Sequence, residues 1–316
     1  MAGIGVDIMG GDYAPQVVLE GCESALSVLS PETSLVLFGP AEYITEKGAP
    51  TLAKYRDRLS VIDAPEVIGM HEQPVKALQQ KPQSSILVGM KYLAQGKLGA
   101  FASAGHSGAL MVAAMHTIGT VEGIDRPCAV SAFPQKSEHP NLLLDVGINN
   151  EVKPEQLRQF AILGSIYAQL NHGIKNPRVG LLNTGSEPGK GNSLYQKAYA
   201  LLDQMERINF IGNLEARDFY DGLVDVSVCD GFTGNVFLKQ AEGMYRLLKD
   251  KGVEHPYLDE FNYENYGGTP ILGLKANVVL GHGASSARAI KNMILTAEKL
   301  AQIKLASKIE NLTINS

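Results

Sequence analysis

Six short stretches of the sequence combine glycine with hydroxyl, amide, imidazole or charged side chains, and each follows an apolar run that is typical of a β-strand. Glycine lets the backbone approach a ligand closely and adopt positive φ in a tight turn. A helix that begins after such a turn offers unpaired N–H groups and the positive end of its dipole to an anion. The stretches therefore predict a site for a small oxyanion such as phosphate. They are 9–12, 104–108, 145–149, 183–191, 230–235 and 281–283.

The candidate phosphate-binding residues in and beside these stretches are glycines or side chains that can form hydrogen bonds. They are Gly10, Gly11, Asp12, Ser103, Gly105, Ser107, Gly108, Asp145, Asn149, Gly185, Glu187, Asp230, Gly231, Thr233, Gly234 and His282. One such loop is equally well explained as a strand-to-helix turn whose serine caps the helix. Six loops at equivalent strand ends favour a shared ligand site, because ligands of α/β sheets bind at the carboxyl ends of the strands.

Charge and missing motifs argue against several other classes of protein. The formal net charge is −5 and no basic block stands out, which argues against binding to nucleic acid. The stretch MGGD lacks the dinucleotide fingerprint, GSEPGKGNS departs from a P-loop, and a G-x-S-x-G elbow is missing. The seven histidines lack metal-binding spacing, and the aspartates after strands are typical helix caps, although they could also hold Mg²⁺. We predict neither a metal nor an organic cofactor.

The cysteines and the N-terminal residues indicate a cytoplasmic protein. Cys22, Cys128 and Cys229 are far apart and lie among apolar residues, so we expect buried, reduced thiols. The first residues do not resemble a signal peptide, and no apolar run approaches the roughly 20 residues that span a bilayer.

Apolar runs of strand length alternate with longer segments of helical period along the chain. The predicted strands are 4–8, 35–38, 100–103, 128–133, 142–145, 178–182, 208–211 and 224–229. The predicted helices are 15–29, 84–94, 108–118, 154–170, 192–207, 234–249 and 285–306, and 251–269 is predicted to be a loop. This alternation predicts an α/β fold with a mostly parallel sheet covered by helices on both faces.

Eight segments of the chain together resemble the PlsX family, the phosphate:acyl-[acyl-carrier-protein] acyltransferases of bacterial phospholipid synthesis. They are VDIMGGDYAP, FASAGHSGALM, GIDRPCAV, LLLDVGINNEVKPEQLRQFAILGS, NPRVGLLNTGSEPGKGN, NFIGNLEARD, VSVCDGFTGNVFLK and YGGTPILGL. The resemblance extends from Gly3 to about Ile294 and implies a single acyltransferase domain over 1–316. It also implies a three-layer α/β/α sandwich similar to isocitrate and isopropylmalate dehydrogenases and to phosphotransacetylase.

The resemblance implies that a fatty acyl group moves from an acyl-carrier-protein thioester to inorganic phosphate and forms an acyl-phosphate. It implies no organic cofactor, a homodimer, and contact with the membrane enzyme that acylates glycerol-3-phosphate. The alternatives are a phosphotransacetylase that uses acyl-CoA, a hydroxyacid dehydrogenase of similar fold, and a non-catalytic scaffold that binds lipid or carrier protein.

The phosphate site can be assigned as a hypothesis from the chemistry of the residues. We expect the amides of 105–108 and of the 233–234 turn to hold phosphate, with Lys190 or Lys81 supplying positive charge. A phosphate oxygen then attacks the thioester carbonyl directly, so that positioning and stabilisation of the oxyanion supply most of the acceleration.

The remaining roles fall to hydrogen-bond donors in the same loops. Asn183, Asn235 and Ser107 are candidate donors to the developing oxyanion. His106 or His282 is a candidate for protonating the departing sulfur.

Three segments depart from the family pattern. The family usually has AGNTGAL where this chain has His106 and Ser107, and histidine titrates near neutral pH. The family often has ALRRKK where this chain has ALQQKP, so Lys81 remains without two neighbouring charges. Many relatives carry a longer apolar insertion between Asn235 and Gly267, which is thought to touch the membrane.

In this chain the corresponding segment forms an amphipathic helix. Its apolar face holds Phe237, Ala241, Met244 and Leu248, and its opposite face holds Lys239, Glu242, Arg246 and Lys249. Such a face favours a core or dimer interface over a membrane anchor, with peripheral contact with the inner face of the membrane as the alternative. The basic residues could also meet an acidic carrier protein.

Overall fold

A computed structural model describes residues 3–314 of the chain, and the side chains of all of these except 47–52 and 314. The strands are β1 (Gly3–Asp7), β2 (Leu35–Gly39), β3 (Leu59–Asp63), β4 (Leu98–Ser103), β5 (Cys128–Phe133), β6 (Asn141–Leu144), β7 (Arg178–Asn183), β8 (Asn209–Glu215), β9 (Val226–Val228), β10 (Gly268–Leu272) and β11 (Asn277–Gly281). The α-helices are α1 (Gln16–Leu26), α2 (Ala41–Leu52), α3 (Pro74–Gln80), α4 (Ser85–Ala94), α5 (Ser107–Thr117), α6 (Pro154–His172), α7 (Ser193–Asp203), α8 (Gly231–Asp250), α9 (Pro256–Asp259), α10 (Ala287–Gln302) and α11 (Leu305–Ile314).

The described residues form two compact units. Unit 1 contains the described residues up to Thr120 together with Tyr263–Lys308, and unit 2 contains Val121–Asn262 together with the described residues from Ile309. Unit 1 is thus built from two segments that are distant in the chain.

The strands of unit 1 lie in the order β3-β2-β1-β4-β11-β10. β2 pairs in parallel with β3 and β1, β4 pairs in parallel with β1 and β11, and β10 runs antiparallel to β11. This topology brings the carboxyl ends of β1, β4 and β11 to one edge. Helix α1 packs against α10, and α4 packs against α5 and contacts β1, β2 and β4.

The strands of unit 2 lie in the order β5-β6-β9-β7-β8. β6, β9, β7 and β8 pair in parallel, and β5 runs antiparallel to β6. The stretches that begin at Asp145, Asn183, Ala216 and Asp230 therefore follow neighbouring strand ends. Helix α6 contacts β6, β7, β9 and α7, and its mainly buried residues explain its long apolar run.

The predicted α/β fold with a mostly parallel sheet is confirmed. Helix α1 buries Val18, Cys22, Ala25 and Leu26, and Leu29, just beyond its end, is also buried. All three cysteines are buried and free, as expected, and burial raises the pKa of Cys22 to about 12. Among the described residues, the helices lack the combination of length and apolar character that would cross a bilayer.

Several element predictions were wrong in their extent. The predicted helix 285–306 ends at Gln302, because Lys304 adopts a positive φ of 53° and separates α10 from α11. Helix α8 begins at Gly231, one turn before the prediction, because Asp230 caps it. The predicted loop 251–269 contains the short helix α9, which His255 caps through the Tyr257 amide.

Candidate active site

In unit 1 the loops after β1, β4 and β11 lie in close contact. A Cβ atom on Gly10 would lie 2.6 Å from the amide nitrogen of Gly105, so the first two loops approach each other as only glycine permits. The amide of Asp12 donates to the carbonyl of Gly283 at 2.8 Å, which joins the third loop to the first. The structure thus brings these three predicted stretches together.

A buried carboxylate organises this junction. Asp7, at the end of β1, accepts a hydrogen bond from the Ser103 hydroxyl at 2.7 Å, and Ser103 Oγ accepts one from the Gly105 amide at 3.0 Å. Burial raises the pKa of Asp7, whereas the bonds from Ser103, Ser85 and Met9 oppose that rise. Ser103 is therefore engaged within the protein and shapes the loop.

His106 caps helix α5, whereas the alternative explanation of such a loop as a simple turn had a serine as the cap. Its Nδ1 accepts a hydrogen bond from the Ala109 amide at 3.4 Å, and its Nε2 lies 2.9 Å from the carbonyl oxygen of Glu72. These partners correspond to a neutral imidazole with the proton on Nε2. Both ring nitrogens are thus engaged in the structure.

Lys81 is held in an ion pair at some distance along the chain from the glycine loops. Its ammonium lies 2.6 Å from Glu72 Oε1 and donates to the carbonyl of Val67 at 2.6 Å. The bond from Lys81, with the Gly69 amide, lowers the pKa of the Glu72 carboxyl. His282 and Ser107 are exposed.

In unit 2, Asp145 is a buried carboxylate that organises a strand-end loop, as Asp7 does in unit 1. Its carboxylate accepts bonds from the amides of Ala129, Ile148 and Asn149 and from the Asn149 side chain. Burial raises the pKa of Asp145, and these four bonds oppose that rise. Asp145 and Asn149 therefore hold the loop after β6 in shape.

Helix α8 begins directly against this loop. A Cβ atom on Gly231 would lie 2.8 Å from the backbone of Asn149, and one on Gly234 would overlap the carbonyl oxygen of Asp145. Both glycines are thus required by close backbone packing. Asn235, one residue further on, donates from Nδ2 to the carbonyl of Val146 at 3.3 Å.

Asp230 caps α8 and joins it to α7. Its Oδ1 accepts from the Thr233 amide at 2.8 Å, and its Oδ2 accepts from the Thr233 hydroxyl at 2.8 Å and the Tyr195 hydroxyl at 2.6 Å. Burial, followed by the charge environment that includes Cys229 and Asp230, raises the pKa of Tyr195. This network fixes the first turn of α8 beside the loop after β7.

That loop is held by Asn183 and carries an exposed lysine. The Asn183 amide donates to the Lys190 carbonyl at 3.2 Å and to Asn213 Oδ1 at 3.0 Å, so both of its protons are engaged. Lys190 packs its stem on Gly185, where a Cβ atom would lie 2.8 Å from Lys190 Cγ. Its ammonium is 3.7 Å from Glu187 Oε2, and both side chains are about half exposed or more. Such a pair contributes little free energy, so the ammonium can turn to a ligand.

A cavity of about 640 Å³ opens beside these residues in unit 2. Its lining combines polar groups of the strand-end loops with aromatic and aliphatic side chains of α7, α8 and the segment after β8. The lining residues are Leu182, Asn183, Thr184, Gly191, Asn192, Tyr195, Ala216, Arg217, Tyr220, Thr233, Val236, Phe237 and Gln240.

The candidate residues thus form two groups. In unit 1 the structure brings together Gly10, Gly11, Asp12, Ser103, Gly105 and Gly283, which follows His282. Lys81 is held separately in its ion pair with Glu72. In unit 2 it gathers Asp145, Asn149, Asp230, Gly231, Thr233, Gly234 and Asn235, and the 183–191 loop lies beside the cavity. Tyr195, Asn192 and Tyr220 could not be recognised as lining residues from the sequence, because a tyrosine or a helix-capping asparagine has the same sequence pattern whether it packs in the core or lines a ligand cavity.

Comparison with solved structures defines the fold class. A phosphotransacetylase from Streptococcus pyogenes superposes with a TM-score of 0.64 at 18% identity, covering 96% of this chain and 94% of that one. A 4-hydroxythreonine-4-phosphate dehydrogenase from Klebsiella pneumoniae gives a TM-score of 0.55 at 14% identity, covering 95% and 98%. The fold is therefore that of the phosphotransacetylases, as the sequence predicted.

Sequence comparison then defines the family. The family model described as "Fatty acid synthesis protein" matches residues 2–251. A phosphate acyltransferase from Halothermothrix orenii is 40% identical in an alignment of 317 positions that covers 93% of each chain. One from Bacillus subtilis is 39% identical in an alignment of 326 positions that covers 97% of this chain and 96% of that one. The chain belongs to this family, and the resemblance noted in the sequence is confirmed.

Proposed function

We propose that this chain transfers a fatty acyl group from acyl-carrier-protein to inorganic phosphate and forms an acyl-phosphate for phospholipid synthesis. The observation that carries the proposal is identity of about 40% to proteins named phosphate acyltransferase over nearly the whole chain. The site in unit 2 supports it, because a cation and polar side chains lie beside a mainly apolar cavity large enough for a ligand. The amides of Thr233 and Gly234, which were expected to hold phosphate, donate instead to Asp230.

The proposed reaction needs positioning more than covalent catalysis. A phosphate oxygen attacks the thioester carbonyl carbon, the carbon–sulfur bond breaks, and the thiolate leaves with the carrier and takes a proton from solvent or a nearby acid. Thiolate is a good leaving group, so the protein's task is to hold phosphate against the carbonyl and stabilise the oxyanion.

We propose that Lys190 supplies the positive charge that binds phosphate and that Asn235 donates a hydrogen bond to the developing oxyanion. Among the described residues, the Lys190 ammonium has a single loose ion pair, at 3.7 Å from Glu187, and the Asn235 amide donates one bond, to Val146. Asn183 is proposed as a positioning residue, since both of its amide protons hold the 183–191 loop.

The group in unit 1 is proposed to be a second set of anion contacts. The Gly105 amide is bonded to Ser103, and the amides of 106–108 lie at the start of α5, in a junction of three glycine-containing loops. His106 would reach sulfur only by giving up its contact with Glu72, and Lys81 by giving up its ion pair. Ser107 and His282 remain exposed candidates.

The homodimer, the cytoplasmic location, peripheral membrane contact and contact with a membrane acyltransferase are further proposals. Exposed apolar side chains on α8 support an interface there: Phe232, Val236, Met244 and Leu247. Ala241 of the predicted apolar face is buried, whereas Met244 of the same face is 46% exposed. The face therefore does not pack wholly within the chain.

The direct test supplies purified protein with palmitoyl-acyl-carrier-protein and labelled phosphate, and detects labelled acyl-phosphate by its reaction with hydroxylamine. We expect product that depends on both substrates. Parallel reactions with palmitoyl-CoA and acetyl-CoA distinguish a carrier-protein enzyme from a phosphotransacetylase. Failure to form acyl-phosphate from any of these donors would favour a binding scaffold.

A further inference from the structure

We propose that the cavity of unit 2 holds the fatty acyl chain of the substrate, with the thioester end at the strand-end loops and the chain directed along α8. This assignment rests on the proposed function and specifies where the site takes its apolar substrate.

The ends of the cavity differ in chemistry. Asn183, Asn192 and Thr233 line it where the loop after β7 meets the first turn of α8, close in the chain to Lys190. Thr233 is tied to Asp230 through both its amide and its hydroxyl, so this end is rigid. A reacting carbonyl placed here would lie beside the proposed phosphate cation.

Aromatic and aliphatic side chains make up much of the remaining lining. Leu182 and the Tyr195 ring add apolar surface beside the loops, and Val236 and Phe237 continue it along α8. The Tyr195 hydroxyl is bonded to Asp230, so its ring remains for apolar contact. Phe237 belongs to an aromatic cluster with Phe219 and Tyr220, at ring-centre distances of 4.5 and 6.2 Å, which stiffens that wall.

The size and charge of the cavity suit a lipid chain better than a phosphate or a nucleotide. A volume of about 640 Å³ lies within the range of roughly 300–1,000 Å³ for small-molecule sites and far exceeds one phosphate. Within the described lining, Arg217 is the single cationic residue, and its side chain is 76% exposed and pairs with Glu215 at 3.0 Å.

The course of α8 gives the direction of the proposed chain. Thr233 and Gln240 both line the cavity and lie two turns apart on one helix, which corresponds to a rise of roughly 10 Å. A chain that starts at Thr233 and follows the helix meets Val236 first and Gln240 later. Gln240, whose side chain is exposed, therefore lies on the path of the chain two turns beyond the strand-end loops.

The sequence contains no tryptophan, so a single introduced tryptophan becomes a specific fluorescent reporter. We would prepare Gln240→Trp and Val236→Trp in the cavity lining, and Asp250→Trp as the control at the exposed last residue of the same helix. The probe is a fatty acid with bromine on its chain, which quenches tryptophan on contact.

We expect saturable quenching of the indole fluorescence in Gln240→Trp and Val236→Trp, displaced by unbrominated palmitate, and none in Asp250→Trp. Equal quenching in all three variants, or quenching in none, would overturn the assignment. Circular dichroism confirms that each variant is folded. If one cavity variant fails to fold, the other gives the same readout.

The quenching experiment and the activity assay have separate outcomes. If even the unmodified protein forms no acyl-phosphate, the proposed function fails, while the quenching experiment still reports on chain binding.

Discussion

At the scale of single residues, the main question is which polar groups remain available for a ligand. Asp7, Asp145 and Asn183 have partners that account for their hydrogen bonds, and each holds a loop in shape. Lys190 differs, because its ammonium is half exposed and only loosely paired. A cation of this kind can bind phosphate without first losing a strong bond.

We therefore expect Lys190→Ala to raise the KM for phosphate by about tenfold, equivalent to about 1.4 kcal/mol, with a much smaller change in the KM for acyl-carrier-protein. Steady-state kinetics at varied phosphate measures this effect. Lys197→Ala, an exposed lysine on the neighbouring helix α7, is the matched control. A phosphate curve that is identical in Lys190→Ala and the unmodified enzyme would contradict the assignment.

The Arg178–Asp225 pair makes a separate, pH-dependent contribution to stability. Burial by itself raises the pKa of Asp225, but the hydrogen bonds and charge of Arg178 outweigh burial and lower that pKa. The stabilisation is therefore present above the ordinary carboxyl pKa of about 4 and is lost as the pH falls through the lower folded-state value.

We expect Asp225→Asn to reduce the free energy of unfolding at pH 7 by about 1–3 kcal/mol, because the hydrogen bonds from the Arg178 guanidinium then lack a charged acceptor. Denaturant titrations at pH 7 and pH 3 should show the deficit shrinking in acid. Asp221→Asn removes the exposed pair with Lys136 and should change stability by at most about 0.5 kcal/mol. A deficit that persists fully at pH 3 would argue against this linkage.

At the scale of secondary-structure elements, the first turn of α8 packs very closely against the backbone of the loop after β6. Gly234 lies so close to the Asp145 carbonyl that any side chain would displace the helix from the loop after β6. At Gly243, in the middle of the same helix, a Cβ atom would have none of the described atoms beyond the helix's own backbone within 4 Å. The helix thus contains a glycine required by packing and one that is not.

Gly234→Ala should destabilise the protein by about 1–3 kcal/mol and lower activity, because the displaced turn also carries Thr233 and Asn235. Gly243→Ala should leave activity intact and stabilise the helix by up to about 1 kcal/mol. Thermal and chemical denaturation of both variants provide the measurement. Equal effects of the two substitutions would show that the close approach at Gly234 is relaxed in solution.

The same elements show what the sequence could predict. Apolar runs such as 4–8 and 178–182 identified buried parallel strands, and the glycines after them identified the loops that meet at the strand ends. Strand β3 was missed because its residues are half-buried or exposed and its apolar pattern is weak. The engagement of Asn183, Lys81 and His106 also could not be predicted, because their partners lie on segments that only the fold brings close.

At the scale of the whole molecule, unit 1 depends on residues from both ends of the described chain. β11 pairs with β4, and α10 packs on α1, although both arrive only after Asn262. We retain the single domain over 1–316 as a proposal. Its reason is that the last strands and helix of unit 1 follow the continuous segment Val121–Asn262 in the chain, so unit 1 is complete only after that segment.

Residues 1–120 alone should therefore fail to fold, since the edge of β4 and the apolar face of α1 stay uncovered. Joining them to 263–308 through a flexible linker should restore helical circular dichroism and a cooperative melting transition. An expressed 1–120 fragment that melts cooperatively by itself would contradict this dependence. The linked protein is matched in composition to unit 1 and serves as the positive control.

The two-segment construction of unit 1 has a consequence for biosynthesis. At ordinary translation speeds, the ribosome needs on the order of ten seconds to produce the intervening residues before β10 and β11 emerge. Throughout that interval the β4 segment of the nascent chain lacks its β11 partner, and unpaired strand segments readily pair with other chains. Correct maturation of this enzyme in a crowded cell therefore depends on shielding an early strand until a late one arrives.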